Sequence, residues 1–212
     1  MKRPLYSDEP RDARAFQEGS DRVYTRIARA YDIGIRVLPI WKTWLNQVLP
    51  HITGRRVLEV SFGTGYLMTG YAGQFEVHGI DLNARMVSVA LKNLRQAGLA
   101  ANLRQGTVED LPYEHGYFDT VVNTMAFSGY PDGTKAMAEM HRVLKPRGRL
   151  VLIDINYPAD RNWVGTKLTR SWQRAGDIIR DMDGVLVAHG FEYEDTEIGG
   201  FGSVHMYVCD RN

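Results

Sequence analysis

Apolar residues along the chain fall into short continuous runs separated by stretches of helical period. The alternation of the two predicts most of the fold. Val57, Leu58 and Val60 make a short apolar run that reads as a buried strand. Phe75 to Ile80 is a second strand, ending in Asp81. Asn83 to Ala97 has helical spacing, with Asn83 placed to cap it and Gly98 to stop it. Asn102 to Gln105 and Phe118 to Val122 read as further strands, the latter following a turn at Glu114-His115-Gly116. Thr134 to Leu144 is helical, ends at Lys145-Pro146-Arg147-Gly148, and gives way to a strongly apolar strand from Arg149 to Ile155. Repeated strand–helix alternation implies an α/β, doubly wound, mostly parallel sheet with ligands at the carboxyl ends of its strands. The tail breaks the rule. Phe191 to Ile198 and Ser203 to Val208 are β-rich runs joined only by Gly199-Gly200-Phe201-Gly202, too short a link for a crossover helix, so they pair antiparallel.

Ahead of the first strand the pattern differs. Residues 1–20 are polar and charged, with Pro4 and Pro10, and read as a flexible or loosely packed arm. Val23, Ile27, Ala30 and Tyr31 then share a helical face, interrupted by Gly34 and Pro39. Trp41, Trp44, Leu45, Val48 and Leu49 mark a second helix that stops at Pro50. The expected organisation is an arm (1–20), a helical lid (21–50) and an α/β domain (51–212). Aromatics on the lid helices would pack on the domain and could also close a ligand cleft.

Composition narrows the class. A chain of 212 residues with 44% apolar and 24% charged residues is ordinary for one soluble globular domain. A net charge of +1 offers no field for nucleic acid, and none is expected as a partner. The single Cys209 excludes an internal disulfide framework and fits a reducing, cytoplasmic setting. No apolar run has the length of a membrane span, which leaves peripheral membrane contact open.

The chemistry gathers at Arg56 to Leu67. The strand breaks at Gly63 and Gly65, and a helix is expected from Leu67 to Tyr71, aiming backbone N–H groups and a positive dipole end above the sheet. Glu59, Ser61, Gly63 and Gly65 fall at every second position, the frame E-x-G-x-G-x-G with serine in the first glycine place. A dinucleotide frame G-x-G-x-x-G fits worse, because its third small position is Met68. A Walker phosphate loop is excluded, since no Gly-Lys-Ser/Thr follows. A purely structural strand–turn–helix would share these glycines.

The frame resembles motif I of the class I S-adenosylmethionine-dependent methyltransferases, and further segments extend the likeness from about residue 55 to the end. Gly106-Thr107-Val108-Glu109-Asp110-Leu111-Pro112 is similar to the family's G-D-A-E-D-L-P segment, Phe118-Asp119-Thr120-Val121 to its F-D-x-V strand, and Glu139 to Gly148 to its E-x-x-R-V-L-K-P-G-G block. The resemblance implies a Rossmann-like, seven-stranded sheet closed by an antiparallel hairpin, with S-adenosyl-L-methionine as cofactor and a small-molecule methyl acceptor as partner. It implies that Glu59 meets the cofactor's ammonium and Asp81 its ribose hydroxyls, with Ser61, Gly63 and Gly65 forming the turn beneath it. Leu82 and Met86 would flank the adenine, which Thr107, Val108 and Glu109 would wrap. Asn123 and Thr124 would reach the reactive centre, and Tyr31 would reach the cofactor from the lid. Three departures stand out: Ser61 and Phe62 within motif I, and Thr107 where the family carries Asp.

Methyl transfer from a sulfonium is an in-line displacement that needs alignment and exclusion of water. A phenol or carbon nucleophile calls in addition for a base, for which Tyr24, Tyr31, Tyr130, His141 and His205 are candidates that spacing alone does not separate. His141 is expected to be solvated on an outer helix, and His78 to be packed within its strand. Residues 156–183 lie where the fold grows its substrate cover and mix Trp163, Leu168 and Trp172 with Lys167, Arg170 and Arg174. That mixture suits an apolar substrate with an anionic part or a lipid surface, and equally a solvated basic face. Ala30-Tyr31-Asp32 and Ala188-His189-Gly190-Phe191 point to the ubiquinone/menaquinone-biosynthesis and phospholipid N-methyltransferases as the nearest subgroup. A non-catalytic cofactor-binding module and a nucleotide-dependent oxidoreductase are the competing readings.

Overall fold

The computed structural model describes residues 5–7, 9–10, 12–19 and 39–212. Tyr24, Tyr31 and Gly34, with the rest of the segment expected to form the first lid helix, lie outside them. Residues 13–19 are helical (α1), followed among the described residues by α2 (Pro39–Asn46), β1 (Arg56–Val60), β2 (Glu76–Asp81), α3 (Ala84–Gln96), β3 (Asn102–Gln105), β4 (Phe118–Thr124), α4 (Gly133–Val143), β5 (Leu144–Ile155), α5 (Trp163–Ala175), α6 (Met182–Ala188), β6 (Phe191–Gly199) and β7 (Val204–Arg211). One seven-stranded sheet runs β3-β2-β1-β4-β5-β7-β6. All pairs up to β4–β5 are parallel, and β5–β7 and β6–β7 are antiparallel. The alternation and the glycine-linked tail hairpin both appear as the sequence implies.

Burial explains why the strands read so clearly. Val57, Leu58 and Val60 are each fully buried, because helices cover both faces of the sheet. Leu58, Val60, Val121, Leu150 and Leu152 meet α4 and α6 residues on one side. Val57, Val122, Val151 and Ile153 meet α3 residues on the other. Val48, just beyond α2, is fully buried in this second cluster, so the segment before β1 is part of the core.

Three local expectations change. The helix after motif I is a 3-10 turn, Leu67–Gly70, since Thr69, Gly70 and Gly73 are poor helix formers. No helix dipole of useful length therefore stands behind the glycine turn. The second lid helix ends at Asn46, and a separate 3-10 turn, Leu49–His51, carries Pro50. The arm is, in its described part, docked. The Ser7 N–H donates to the Ile179 carbonyl at 2.8 Å, and the Ser7 hydroxyl accepts from the Ile179 N–H at 3.0 Å and from Gln173 Nε2 at 2.9 Å.

Candidate functional site

The strand order reverses between β1 and β4, and in such sheets the crevice at the carboxyl ends of those strands is the natural ligand site. A cleft opens there, walled by Trp41 and Leu45 of α2, Glu59 and Ser61 at the end of β1, and Thr124 and Met125 at the end of β4. Its floor is the glycine turn. Gly65 has φ +71°, and a Cβ there would stand 2.9 Å from the Ala90 side chain, so only glycine lets the turn close on α3.

Glu59 is fully buried and takes a 2.6 Å hydrogen bond from the Tyr71 hydroxyl. Burial pushes its pKa up to about 8; the Tyr71 bond opposes that rise, and the negative field of Asp81 adds to it. Asp81 bridges the crevice floor: Oδ2 accepts from the Gly63 N–H at 2.8 Å and Oδ1 from the Asn83 N–H at 2.9 Å. Capping of α3 falls to Asn83, whose side chain accepts from the Arg85 and Met86 N–H groups. The carboxylate of Asp81 therefore serves the motif turn, and two oxygens offer enough lone pairs to accept further donors.

Ser61 has φ +54°, a left-handed conformation that costs a non-glycine residue roughly 1–2 kcal/mol. Its hydroxyl is 2.8 Å from the Tyr130 hydroxyl, which also accepts from Asn123 Nδ2. The serine of motif I is thus tied to a tyrosine 69 residues away. Burial drives the Tyr130 pKa well above the usual phenol value, so Tyr130 remains a neutral hydroxyl and is no base near neutral pH.

The turn that carries Tyr130, Phe127–Gly129, is gripped by the end of β5 and by residues 177–180. Asp154 Oδ2 accepts from the Ser128 N–H at 2.7 Å, Asp177 Oδ1 accepts from the Ser128 hydroxyl at 2.9 Å, and the Ile178 N–H donates to the Ser128 carbonyl at 2.8 Å. The buried Arg180 guanidinium donates to the Phe127 and Tyr130 carbonyls. Burial raises the Asp154 carboxyl to about 6, while its two N–H donors hold it down.

The expected adenine residues divide. Leu82 is half-buried and Met86 buried beside the end of β2. The Val108 side chain is in the core below α4, so only its backbone can face a ligand. The Glu109 carboxylate is committed to the Asp132 N–H at 3.2 Å, and the Thr107 hydroxyl accepts from the Glu109 N–H at 3.2 Å. Thr124 lines the cleft, and Asn123 is buried one residue before it.

Sequence reasoning did not find Tyr71, nor that Met125 would line the cleft; a tyrosine twelve residues after an acidic residue carries no pattern. His141 differs from expectation: its ring packs edge-on against Phe191 at 5.1 Å, and burial lowers its pKa. His78 is packed as expected, among Tyr113, Tyr117 and Phe118. His205 is buried and paired with Asp195 at 2.8 Å, away from the cleft lining.

Two buried polar atoms at the crevice have no protein partner, Thr64 Oγ1 and Asn123 Oδ1. Together with a carboxylate at each of two neighbouring strand ends, they suit a ligand bearing an ammonium and hydroxyl groups.

Comparison with known proteins agrees. A methyltransferase domain model matches residues 58–152. A demethylmenaquinone methyltransferase of Deinococcus radiodurans is 34% identical over 166 residues, covering 74% of this chain and 67% of the relative. The ubiquinone/menaquinone biosynthesis C-methyltransferase UbiE of Psychromonas ingrahamii is 32% identical over 149 residues, 64% of this chain and 59% of its own length. The chain thus spans about two thirds or less of these relatives. A solved SAM-dependent methyltransferase from Thermotoga maritima, a possible histamine N-methyltransferase, superposes with a TM-score of 0.72 over 90% of this chain and 99% of its own at 16% identity, a likeness of fold. With the seven-stranded order, the Glu59–Gly65 turn and Asp81 in place, the chain belongs to the S-adenosylmethionine-dependent methyltransferases.

Proposed function

We propose that this enzyme methylates an apolar, ring-bearing acceptor of the quinone-precursor type. The observation that carries the reading is the cleft lining, where Trp41, Leu45 and Met125 present apolar surface beside Thr124 and Glu59. A flat apolar acceptor would be held there by desolvation and stacking. The relatives named for quinone biosynthesis support the same class.

In this reading the cofactor supplies an electrophilic methyl on a sulfonium. Glu59 takes the ammonium and Asp81 the ribose hydroxyls, while Asn123 Oδ1 and Thr64 Oγ1 accept or share the remaining polar contacts. Leu82 and Met86 flank the adenine, and the backbone of Thr107 to Glu109 meets its edge. α2 serves as the lid, and Tyr31, expected from the sequence to reach the cofactor, lies outside the described residues. Water exclusion falls to α2 and the cover segment, which leave the nucleophile aligned with the methyl and little else to do. A reducing cytoplasmic setting suits the lone Cys209.

The test is to incubate the protein with S-adenosylmethionine and a panel of demethylated naphthoquinols, benzoquinols, amines and phospholipids, and to read acceptor masses. A one-methyl gain confined to the quinols is expected. Transfer to an amine or phospholipid headgroup with inert quinols would overturn the acceptor assignment.

A further inference from the structure

The outer side of α5 faces away from everything described above. Trp163, Lys167, Arg170 and Arg174 follow one another at helical spacings of four, three and four along it, and all four are exposed. Its opposite face, with Gly165 and Thr169, is buried against the domain. From Arg161 to Arg174 the chain carries four cations and no acid, although the whole protein nets only +1. Among the described residues none of Lys167, Arg170 and Arg174 is in an ion pair. The nearby acids are engaged: Asp160 accepts from Asn162, and Glu197 from the Ala159 N–H.

The β6–β7 hairpin adds a second exposed aromatic. Phe201, 70% exposed, stands between Gly200 and Gly202 at φ +54°. Its carbonyl is pinned by Asn162 Nδ2 at 3.0 Å, directly before Trp163, which is 75% exposed. A Cβ on Gly165 would come within 2.2 Å of that same carbonyl, so hairpin tip and helix are in close contact. Two large exposed aromatics thus project from backbone segments tied to each other. The tip lies at the carboxyl edge of the sheet, since Val204 pairs with Ile155, the last residue of β5. Gly199 lies against the indole of Trp44 in α2, the helix whose Trp41 and Leu45 wall the cleft. Ile40, one turn before Trp44, is also exposed.

We propose that this face, α5's outer stripe with Phe201, docks the protein onto the surface of an anionic lipid bilayer. Exposed aromatics such as Trp163 and Phe201 enter the headgroup boundary while long cations reach lipid phosphates. Charge complementarity selects this occupant: an apolar protein partner would be opposed by three unpaired cations at the centre of its footprint. Docking this way turns the α2 wall of the cleft toward the membrane, from which an apolar acceptor would enter. The docking does not depend on which acceptor is methylated.

The test is flotation of the full chain with vesicles of phosphatidylcholine alone or with one third phosphatidylglycerol. Binding to the anionic vesicles only, weakened by high salt, is expected. Lys167→Gln/Arg170→Gln/Arg174→Gln should cut partitioning on the order of a hundredfold, and Trp163→Ser/Phe201→Ser at least about tenfold. Calorimetric binding of S-adenosylhomocysteine, unchanged in both variants, shows that the fold survives. No flotation, equal flotation of the variants, or a wild-type dimer that the substitutions dissociate would each overturn the proposal. The acceptor assay reads the acceptor class separately, so either idea can fail alone.

Discussion

If Glu59 holds the cofactor's ammonium, as proposed, cofactor binding is a proton-linked event whose direction follows from the surroundings of Glu59. In the free enzyme burial holds its pKa near 8, so over pH 6–8 much of it is a neutral acid. An ammonium favours the carboxylate, so the proton must leave as the cofactor binds. The ionised share rises about fiftyfold between pH 6 and pH 8, and the association constant should rise with it. Above that window the cofactor's own ammonium begins to be lost. Titration with S-adenosylhomocysteine in buffers of differing ionisation enthalpy should show close to one proton released at pH 6.5 and about half at pH 8. The sign for folding is opposite. Because the folded pKa lies above the unfolded 4.5, stability from Glu59 is fully present below pH 4.5 and is lost as pH rises through about 8, so the thermal shift given by cofactor should grow with pH. Tyr71 tunes the midpoint. Its 2.6 Å bond favours the carboxylate by roughly 1.5–3 kcal/mol, so Tyr71→Phe should move the midpoint up by about 1–2 units and weaken binding about tenfold or more at pH 7. Glu59→Gln should flatten the profile. A binding constant that stays level from pH 6 to 8, with no buffer-dependent heat, would refute the linkage.

Asp81→Ala removes charge-assisted bonds worth roughly 1.5–3 kcal/mol each and should weaken cofactor binding at least about tenfold in a folded protein; an unchanged dissociation constant would leave Asp81 a structural tie between the Gly63 turn and the start of α3. Ser61→Gly relieves the left-handed backbone but loses the bond to Tyr130, so its net effect on unfolding free energy should lie within about 1 kcal/mol of zero. In a Tyr130→Phe background the same change should stabilise by about 1 kcal/mol, and a denaturation cycle that finds the two substitutions additive would exclude the coupling. Ser7→Ala leaves the Ile179 N–H without its acceptor and should lower the melting temperature by several degrees while cofactor affinity holds; an unaltered melting curve would mean the arm contributes nothing to the cover.

The legible parts were those set by local rules. Asn83 and Gly98 bracket a helix because a side-chain oxygen satisfies its first N–H groups and a left-handed glycine ends it, and α3 runs between them. The tail hairpin followed from a link too short to cross the sheet. Less legible was the length of the turn after motif I, where Thr69, Gly70 and Gly73 hold it to one 3-10 turn. The residues of the Thr107 segment illustrate a deeper limit. Their resemblance to an adenine loop says nothing about where each side chain turns, and Val108 faced the core while Glu109 went to the start of α4.

By itself, then, the sequence determined the order of strands and helices, the glycine turn and the acidic residues at the ends of β1 and β2. Periodicity, capping and glycine geometry act over a few residues and can be read there. Only the tertiary structure decided what surrounds those residues. Tyr71 beneath Glu59, Tyr130 against Ser61, Arg180 under the Tyr130 turn and Phe201 against Asn162 are pairings across 12 to 69 residues of chain. Each depends on which faces the sheet brings together. The protonation of Glu59 is set in the same way, because burial and a neighbour's hydroxyl are properties of the packed molecule.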